Sequence, residues 1–541
     1  MSEQTSYVVY FLPQKIQKRR YEVMIASAKK KGLNLVSSFS DRVTHLVTDL
    51  DKWENIEKAL QEKNTNRDVT VLKSEWLSRC LKEGKFSDPI NSEVLQIRPV
   101  ALESQDSGKK EAIVKEYACM RKTPLKSKNP DIVSALETLS ENAFFHDDEA
   151  RRLAFQKAAG VIKSLNFKIK NINQVKGLHD VGKHSLEVIK DIIEEGSSIE
   201  VENIINDPWF HQMKAFQSIY GVGPSKAKKW IAQNVFTIDD LIERTDLHSS
   251  FDHRMELGIS FYKDLNTQVT KQHALAIKNL IQQHLEEILP GCILVLAGGF
   301  RRGKASGHDA DILLTHPIEG KEIGLLPKLL NLLSDSGLVL HGTMETGHNN
   351  PQTIMKDKGK PLASNVDHFD KWIGIMKIDK NLKDLDSSDN ENDLIQLEQN
   401  SLTETSIETK KGRLSKKRSF VQTLDNNEDF ARDTKKKLAS NSKMSFEQLL
   451  ALSSKDKQWV ARRVDIIVVP VSQFFYALVG WTGNKWFNRS LRLYSQRVLG
   501  LKLTSHGLFD LNRGTSLPAN SEHQVFDNLK LEYIEPTDRN C

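Results

Sequence analysis

Two aspartates that lie two residues apart could share a metal ion. Asp309 and Asp311 begin the run Asp-Ala-Asp-Ile-Leu-Leu, which has the composition of a strand. Because side chains alternate along a strand, both carboxylates point to the same face. Mg²⁺ prefers oxygen ligands and is usually held by one or two carboxylates together with substrate phosphates. The pair therefore predicts a magnesium site for phosphate chemistry.

A third aspartate lies in another apolar run, far along the chain. Asp465 stands within Val-Asp-Ile-Ile-Val-Val-Pro, which has the pattern of a buried strand. A carboxylate there needs a partner, because an unpaired buried charge is costly. An ion pair with Arg462 or Arg463 would satisfy it. So would a metal ion shared with the first two aspartates and brought to an attacking hydroxyl.

A glycine turn precedes the first two aspartates. Gly298 and Gly299 follow an apolar strand, and the basic residues Arg301, Arg302 and Lys304 come next. Backbone amides in such a turn can hold a triphosphate. The guanidinium and ammonium groups supply the positive charge that a triphosphate requires.

Two apolar-Gly-apolar-Gly segments lie between helical stretches nearer the N-terminus. They contain Gly177, Val181 and Gly182 in the first copy and Gly221, Val222, Gly223 and Lys226 in the second. Such a turn leaves N–H groups at a helix N-terminus unpaired, and glycine lets a DNA phosphate approach them. Tight helix connections use the same residues structurally. The occurrence of two copies favours DNA binding that reads no sequence.

The elements around these motifs suggest several domains. Apolar runs alternate with helical segments over residues 5–97, which predicts a small α/β unit with a parallel sheet. Its last helix is predicted to use Ser74 as its cap and to place Trp76 and Cys80 on one face, with Trp76 in the core.

Two polar stretches contain too few apolar residues to form a core. We expect a flexible linker at residues 98–128 and a disordered insertion at about residues 380–446. The basic run from Lys410 to Arg418 fits a nuclear localisation signal and a solvated run of charge equally well.

The composition limits the class of protein. A chain of 541 residues is too long for one core, and its net charge of +6 is a weak indication of nucleic-acid binding. The four cysteines form no CxxC pair, which argues against a zinc site and a disulfide framework. Without a membrane-length apolar stretch, we expect an intracellular protein with no membrane partner.

The motifs together resemble the family X DNA polymerases. The motif GGFRRGK followed by GHDADILLTHP is similar to the corresponding motif in the branch that contains polymerase mu and terminal deoxynucleotidyltransferase. The segment from Gly480 to Arg492 is similar to the nucleotide-facing Thr-Gly turn and helix of that family. The strand-cap-Trp-Leu pattern near the N-terminus resembles a BRCT domain. With it, the layout is similar to the fungal polymerase IV members.

The resemblance assigns catalytic roles. It makes Asp309 and Asp311 ligands of two Mg²⁺ ions, with Mn²⁺ as a substitute. It makes Asp465 the ligand that helps the primer 3′ hydroxyl attack the α-phosphate. These roles fit in-line displacement with two metal ions.

The resemblance also assigns binding roles. The residues expected at the β and γ phosphates are Gly298, Gly299, Arg302 and His308, with Lys304 near them. Those expected at the sugar and base are Gly480, Trp481, Gly483, Lys485 and Asn488. Arg492 is expected at the template or nascent pair, and Arg151 and His184 at a 5′ phosphate. His308 would also fit a simple turn.

Two departures from the family pattern affect activity. Gly480-Trp481 replaces the Tyr-Phe of members that reject ribonucleotides, so we expect ribonucleotides to be used. Val188 stands where members with 5′-deoxyribose-phosphate lyase activity carry a nucleophilic lysine. Only Lys183 and Lys190 are near it, and Schiff-base chemistry needs the amine in register. The sequence therefore gives little support for lyase activity.

The predicted fold is a multidomain α/β and α+β protein. Its domains are a BRCT-like α/β domain (5–97), a linker (98–128), a helical 8-kDa-type DNA-binding domain (129–203), a helix-hairpin-helix fingers subdomain (204–286), a nucleotidyltransferase palm sheet (287–478) and a C-terminal nucleotide-binding subdomain (479–541).

The expected function is DNA-directed DNA synthesis that fills short gaps during nonhomologous end joining in the nucleus. The expected partners are gapped or broken double-stranded DNA, dNTPs and rNTPs, and end-binding and ligase proteins at the BRCT-like domain. One alternative is an end-bridging scaffold with secondary catalysis. Another is a template-independent terminal transferase, since the stretch from His341 to Phe369 lies where relatives carry a loop that replaces template. An RNA-tailing enzyme fits the paired hairpins poorly.

Overall fold

A computed structural model describes residues 7–16, 18–40, 43–50, 53–60, 69–90, 93–95, 115–347, 367–382, 397, 430–437, 444–453 and 456–541. The basic run 410–418, most of the predicted insertion, linker residues 98–114 and residues 348–366 of the predicted loop lie outside this part. The chain forms two compact units, Met1–Lys109 and Lys110–Cys541. No helix among the described residues is both long and apolar enough to cross a membrane.

The first unit is a parallel α/β sheet, as its sequence predicts. Its strands lie in the order β2-β1-β3-β4, and every pair is parallel. The elements are β1 (Val9–Phe11), α1 (Lys18–Lys30), β2 (Leu35–Val36), β3 (His45–Val47), α2 (Trp53–Leu60), β4 (Thr70–Leu72) and α3 (Ser74–Glu83).

The last helix of this unit packs through Trp76 and Cys80, which are both fully buried. The predicted cap is wrong in detail. Ser74 is the first residue of α3, Lys73 is the N-cap, and no side chain of the cap residue bonds the helix end. Instead Asp49, from the segment after β3, accepts hydrogen bonds from the N–H and hydroxyl of Ser74 at 3.1 and 3.0 Å.

Residues 115–128 do not behave as the flexible linker that their polar composition predicted. They include a short 3₁₀ turn, Ala118–Met120, and the side chains of Cys119, Arg121 and Thr123 are buried. Thr123 pairs with the C-terminal segment by donating its N–H to the Asp538 carbonyl at 2.7 Å. Tertiary partners supplied by that segment fix a stretch that its own composition leaves unfixed.

Ten helices follow in the second unit. They are α4 (Pro130–Phe145), α5 (Glu149–Ser164), α6 (Lys183–Glu195), α7 (Ile199–Asn206), α8 (Pro208–Gln217), α9 (Pro224–Ala232), α10 (Ile238–Glu243), α11 (Thr245–His248), α12 (His253–Ser260) and α13 (Tyr262–Asn266). Asp148 caps α5 by accepting the Arg151 N–H. The two glycine segments precede α6 and α9, whose N-cap residues are Gly182 and Gly223.

The central sheet has the strand order β6-β8-β11-β10-β9. Only β8 and β11 pair in parallel; the other three pairs are antiparallel. The elements of this region are β5 (Val269–Thr270), α14 (Lys271–Ile288), β6 (Ile293–Leu296), α15 (Gly298–Arg301), β7 (Ser306–Gly307), β8 (Asp309–Thr315), α16 (Leu325–Asp335), β9 (Val339–Glu345), β10 (Asp370–Asp379), α17 (Phe446–Leu452) and β11 (Trp459–Val468).

Alternate residues of these strands enter different cores. Ile312 and Ile466 pack in the core formed with α14 and α16, whereas Leu313 and Ile467 pack in the core formed with the C-terminal region. Burying each such side chain contributes about 1.5–3 kcal/mol, so the register is strongly fixed. This period places the odd-numbered residues of β8 and β11 on the face of the sheet that meets the C-terminal region.

The C-terminal region completes the second unit. It contains α18 (Phe474–Thr482), α19 (Lys485–Leu499), β12 (Lys502–Thr504), β13 (Gly507–Asp510), β14 (Thr515–Leu517) and α20 (Glu522–Asn528). The three strands form an antiparallel sheet. Asn484 caps α19 by accepting the Phe487 N–H at 2.9 Å, which sets the turn between α18 and α19.

Candidate active site

The register of two parallel strands brings the three aspartates together. Asp311 on β8 lies opposite Asp465 on β11, and Asp309 lies opposite Arg463. All of these positions are odd-numbered, so they share the face that meets the C-terminal region. The carboxylates interact electrostatically: Asp309 and Asp465 both raise the pKa of Asp311.

Burial destabilises the negative charge of this carboxylate cluster, and the nearby positive charge does not offset the effect. Burial raises the pKa of Asp311 to about 7, and the charges of Asp309 and Asp465 add to the effect. Burial also raises the pKa of Asp465 to about 6, although the Arg463 guanidinium opposes the shift. Asp465 Oδ1 is buried without a hydrogen-bond partner. A divalent cation would supply the missing partner, so the residues fit a metal site.

The arginines beside Asp465 are directed to other groups. Arg463 Nη2 lies 3.4 Å from Asp309 Oδ2. Arg462 Nη1 donates to the Asp264 carbonyl at 2.5 Å. The ion-pair explanation of Asp465 is therefore weak, and its buried oxygen favours the metal explanation.

The carboxylates do not form a closed metal cage. The part of the chain that the structure describes contains no group of three His, Cys, Asp or Glu side chains arranged to hold an ion. Oxygen ligands from a bound substrate would have to complete the coordination. Mg²⁺ sites at phosphates are usually built in this way.

The glycine turn lies directly against the aspartates. Helix α15 begins at Gly298, whose φ is +58°, and a Cβ at this position would lie 2.0 Å from Asp311 Oδ2. The Ala297 N–H donates to the Asp311 carbonyl at 2.8 Å. Only glycine fits this backbone beside that carboxylate, so the turn and the aspartate pair form one site.

The arginines of the turn bind the C-terminal region, a role that the sequence did not reveal. Arg302 donates to Asn540 Oδ1 at 3.0 Å and to the Thr482 carbonyl at 2.8 Å. Arg301 donates to Thr482 Oγ1 at 2.9 Å and to Glu522 Oε2 at 2.5 Å. Burial lowers the pKa of Arg302, while Asp311 opposes the shift. These bonds join the glycine turn, the candidate phosphate-binding site, to α18 and α20.

A cavity of about 690 Å³ opens at this point. We call it the active-site cavity. The predicted residues that line it are Gly298, Gly299, Arg302, Lys304, His308, Asp309, Asp311, Gly480, Trp481, Gly483 and Lys485. The predicted nucleotide residues from the two distant segments therefore meet in one place.

Some predicted residues lie behind the cavity wall and others were missed. Asn488 donates to the carbonyls of Gly480 and Gly483 at 2.6 and 2.9 Å, so it holds the turn from behind. Arg492 lies farther along α19, in a small crevice of about 10 Å³. No sequence pattern indicated the fingers-side lining, which consists of Gln217, Ser218, Tyr220, Leu265 and Asn266.

The predicted DNA hairpins have the expected local geometry. Gly177 and Gly221 take φ values of +89° and +88°. Val181 is buried, and Val222 packs against a neighbouring core. Lys226 donates its Nζ to the Ser250 carbonyl at 3.0 Å.

The predicted 5′-phosphate residues form a cluster. Arg151 Nη2 lies 3.4 Å from His184 Nδ1, and Glu200 contacts both, at 3.5 and 2.6 Å. Val188 is 2% exposed in the core, and Lys190 lies 3.7 Å from Glu194.

Comparisons with known proteins match most of the second unit. Family models described as a helix-hairpin-helix domain, the fingers domain of DNA polymerase lambda, the palm of DNA polymerase beta and the thumb of DNA polymerase beta match residues 127–198, 214–266, 268–394 and 477–540.

Curated relatives match nearly the whole chain. The human DNA-directed DNA/RNA polymerase mu is 30% identical over 98% of this chain and 94% of its own length. The DNA nucleotidylexotransferases of Ambystoma mexicanum and human are 29% and 28% identical, over 98% and 99% of this chain and 93% of each relative. The predicted resemblance is confirmed. The chain belongs to the family X DNA polymerases, which are metal-dependent, and is a DNA nucleotidyltransferase with polymerase-type thumb, palm, fingers and helix-hairpin-helix domains.

Proposed function

We propose that this protein fills short gaps in broken double-stranded DNA by templated nucleotide addition. The observation that carries the proposal is that Asp309, Asp311 and the Gly298 turn line one cavity, with Asp465 opposite Asp311 on the neighbouring strand. A polymerase needs a metal-binding face beside a phosphate-binding turn. This chain builds both from distant segments.

Asp309, Asp311 and Asp465 are proposed to hold two Mg²⁺ ions, with Mn²⁺ as a substitute. Bound ions would supply Lewis-acid activation of the primer hydroxyl and charge stabilisation at the phosphate. The high pKa values of Asp311 and Asp465 support this assignment, because both carboxylates lack sufficient positive charge without a cation.

The remaining lining residues are proposed to orient the incoming nucleotide. Gly298, Gly299, Lys304 and His308 line the cavity, and their amides and side chains would receive the triphosphate. Arg302 already has two donors bound to Thr482 and Asn540. We therefore assign it partly to bracing the turn, which is a refinement of its predicted phosphate role.

Ribonucleotide use is part of the proposal. Gly480 lines the cavity beside Trp481 and has no side chain that could meet a 2′ hydroxyl. The name of the human relative, which includes DNA and RNA synthesis, supports the same proposal.

DNA binding is proposed at the two hairpins and at the Arg151–His184 pair. Gly182 and Gly223 are the N-cap residues of α6 and α9 and place no side chain over these helix N-termini, where a phosphate could approach. The buried Val188 is an apolar side chain in place of a nucleophile and supports the absence of lyase chemistry.

The proposal includes a role in DNA repair and the protein partners of the first unit. The parallel sheet of the first unit and the core position of Trp76 support a BRCT-like domain that docks end-binding and ligase proteins. We propose nonhomologous end joining in the nucleus as the setting, because the family resemblance implies it. The six-part division of the chain remains a proposal.

Primer extension on a one-nucleotide gap with a 5′ phosphate tests the function. Wild-type protein with Mg²⁺ and each dNTP or rNTP should extend the primer with the complementary nucleotide, and Asp465→Ala should not. Extension regardless of template would favour the terminal transferase alternative, which the nucleotidylexotransferase relatives support. Absence of extension by the wild-type protein would instead favour an end-bridging scaffold.

A further inference from the structure

The indole of Trp481 is held by a carboxylate from a distant part of the chain. Trp481 Nε1 donates a hydrogen bond of 2.7 Å to Asp367 Oδ2. Trp481 lines the active-site cavity, whereas Asp367 lies just before β10 begins. The contact therefore joins the segment that leads into β10 of the palm sheet to the wall of the cavity.

Asp367 is itself fixed in place. Its Oδ1 accepts the Phe369 N–H at 3.2 Å, and its backbone carbonyl accepts Lys371 Nζ at 3.3 Å. Burial raises the pKa of Asp367, and the hydrogen bond from Trp481 opposes this shift. Because the Phe369 N–H holds the carboxylate of Asp367, the hydrogen bond between this carboxylate and Trp481 restrains the indole ring.

His506, whose ring lies near Asp367, is neutral. The backbone N–H of His368 donates to Nε2 of the His506 ring at 3.0 Å, so Nε2 carries no proton. His506 Nδ1 must then donate to Gln473 Oε1, which lies 2.7 Å away. Burial lowers the pKa of His506 to about 4. The 4.0 Å approach of His506 to Asp367 is thus no ion pair, and the indole N–H is a principal donor to the carboxylate.

The restraint matters because the neighbour of the ring is a glycine. Gly480 places no side chain against the ring, and a Cβ at this position would lie 3.2 Å from Ser505 Oγ. The outer torsion of a tryptophan side chain has a broad preference, and no rotamer rule fixes it. A hydrogen bond to a carboxylate is roughly twice as strong as a neutral one and can select one orientation.

We propose that Asp367 is a positioning residue that sets the choice of sugar in the active-site cavity. It holds the Trp481 indole toward the segment that leads into β10, which leaves room beside Gly480 for a 2′ hydroxyl. The inference rests on the proposed function, which puts Trp481 at the sugar of the incoming nucleotide. Asp367 acts through Trp481 and does not touch the reacting atoms.

Steady-state extension of the same gap with dNTP and with rNTP tests the proposal. The variants are Asp367→Ala, which removes the acceptor, and Asp367→Asn, which keeps the shape without the charge. When released, the indole samples orientations that enter the cavity, and ribonucleotides should suffer most. The ratio of kcat/KM for dNTP over rNTP should rise about tenfold in Asp367→Ala, mainly through the KM for rNTP, a change that corresponds to about 1.4 kcal/mol. Asp367→Asn should give an intermediate ratio.

Asp379→Ala is the matched control. Asp379 lies at the other end of β10, where its Oδ1 accepts the Asn381 N–H at 2.7 Å. This variant removes a carboxylate from the same strand, and its sugar ratio should stay within twofold of wild type.

A double-mutant cycle separates positioning from general damage. Trp481→Phe lacks the indole N–H, so adding Asp367→Ala to it should change the ratio by less than twofold. The assignment would be overturned if Asp367→Ala lowered kcat/KM equally for dNTP and rNTP. It would also be overturned if Asp367→Ala changed the sugar ratio by the same factor in the Trp481→Phe background. If Asp367→Ala fails to fold, the cycle with Asp367→Asn gives the same decision. Failure of the wild-type protein to extend any primer contradicts the proposed function instead, so the two failures are distinct.

Discussion

Replacing Gly298 with alanine should separate the chemistry of the site from the stability of the fold. The added Cβ would lie 2.0 Å from Asp311 Oδ2 and 3.1 Å from Asp311 Cγ. Non-bonded heavy atoms need about 3.5 Å. The carboxylate must therefore shift by more than 1 Å or rotate away from the site, since the turn is fastened by the Ala297–Asp311 hydrogen bond.

The expected result is a large loss of activity with a modest loss of stability. A misplacement of about 1 Å in a catalytic constellation can reduce the rate about a hundredfold. The left-handed backbone costs alanine about 1–2 kcal/mol, and the clash adds a similar amount. We expect single-turnover primer extension by Gly298→Ala to fall at least about a hundredfold and the free energy of unfolding to fall by about 2–4 kcal/mol.

Gly337 provides a control with the same backbone strain and no clash. Its φ is +70°, and a Cβ there would meet no atom within 4 Å. Gly337→Ala should lose about 1–2 kcal/mol of stability and keep its extension rate within twofold. The reasoning is refuted if Gly298→Ala extends primers within threefold of Gly337→Ala, since the turn and Asp311 would then be free to separate.

Three further predictions concern charge and backbone. Asp465→Asn should lower kcat at least about a hundredfold while gel-shift affinity for gapped DNA stays within twofold; a large loss of affinity would make Asp465 structural. Asp311→Asn should raise the thermal midpoint of the metal-free protein at pH 8. The pKa of Asp311 rises from 3.8 to about 7 on folding, so its contribution to the free energy of unfolding falls as pH rises through that window. Asparagine does not ionise, so the variant avoids this loss of stability. The gain should vanish below about pH 4, and a gain that persists there would contradict the electrostatic cause. Gly221→Ala should destabilise more than Gly177→Ala in urea unfolding. Both glycines have φ near +90°, but only at Gly221 would a Cβ lie 2.8 Å from a side-chain atom of Arg254. Equal losses of unfolding free energy in the two variants would show that Arg254 moves away from the added Cβ at little cost.

The chemistry of the site could be predicted from the sequence because its parts are short and local. The two-residue spacing of Asp309 and Asp311 determines their common face on any strand. The glycine turn carries its own backbone requirement, which the structure shows at Gly298. Similarity to a known family then identified the distant partners, Asp465 and the Gly480–Arg492 segment.

Other parts could not be predicted because they depend on contacts between distant segments. The polar stretch 115–128 was expected to be flexible, but the C-terminal segment buries Cys119 and Thr123. The predicted phosphate ligand Arg302 proved to be bonded to Thr482 and Asn540. No local pattern encodes such bonds, because each partner is chosen by the packing of whole elements.

The sequence by itself determined which residue types could do chemistry and which faces they occupy, since strand period and glycine conformation are local properties. Only the tertiary structure decided that Asp465 lies opposite Asp311, because the register of two parallel strands far apart in sequence depends on filling the cores on both faces of the sheet. It also decided that burial raises the pKa values of Asp311 and Asp465, because desolvation is a property of everything that surrounds them.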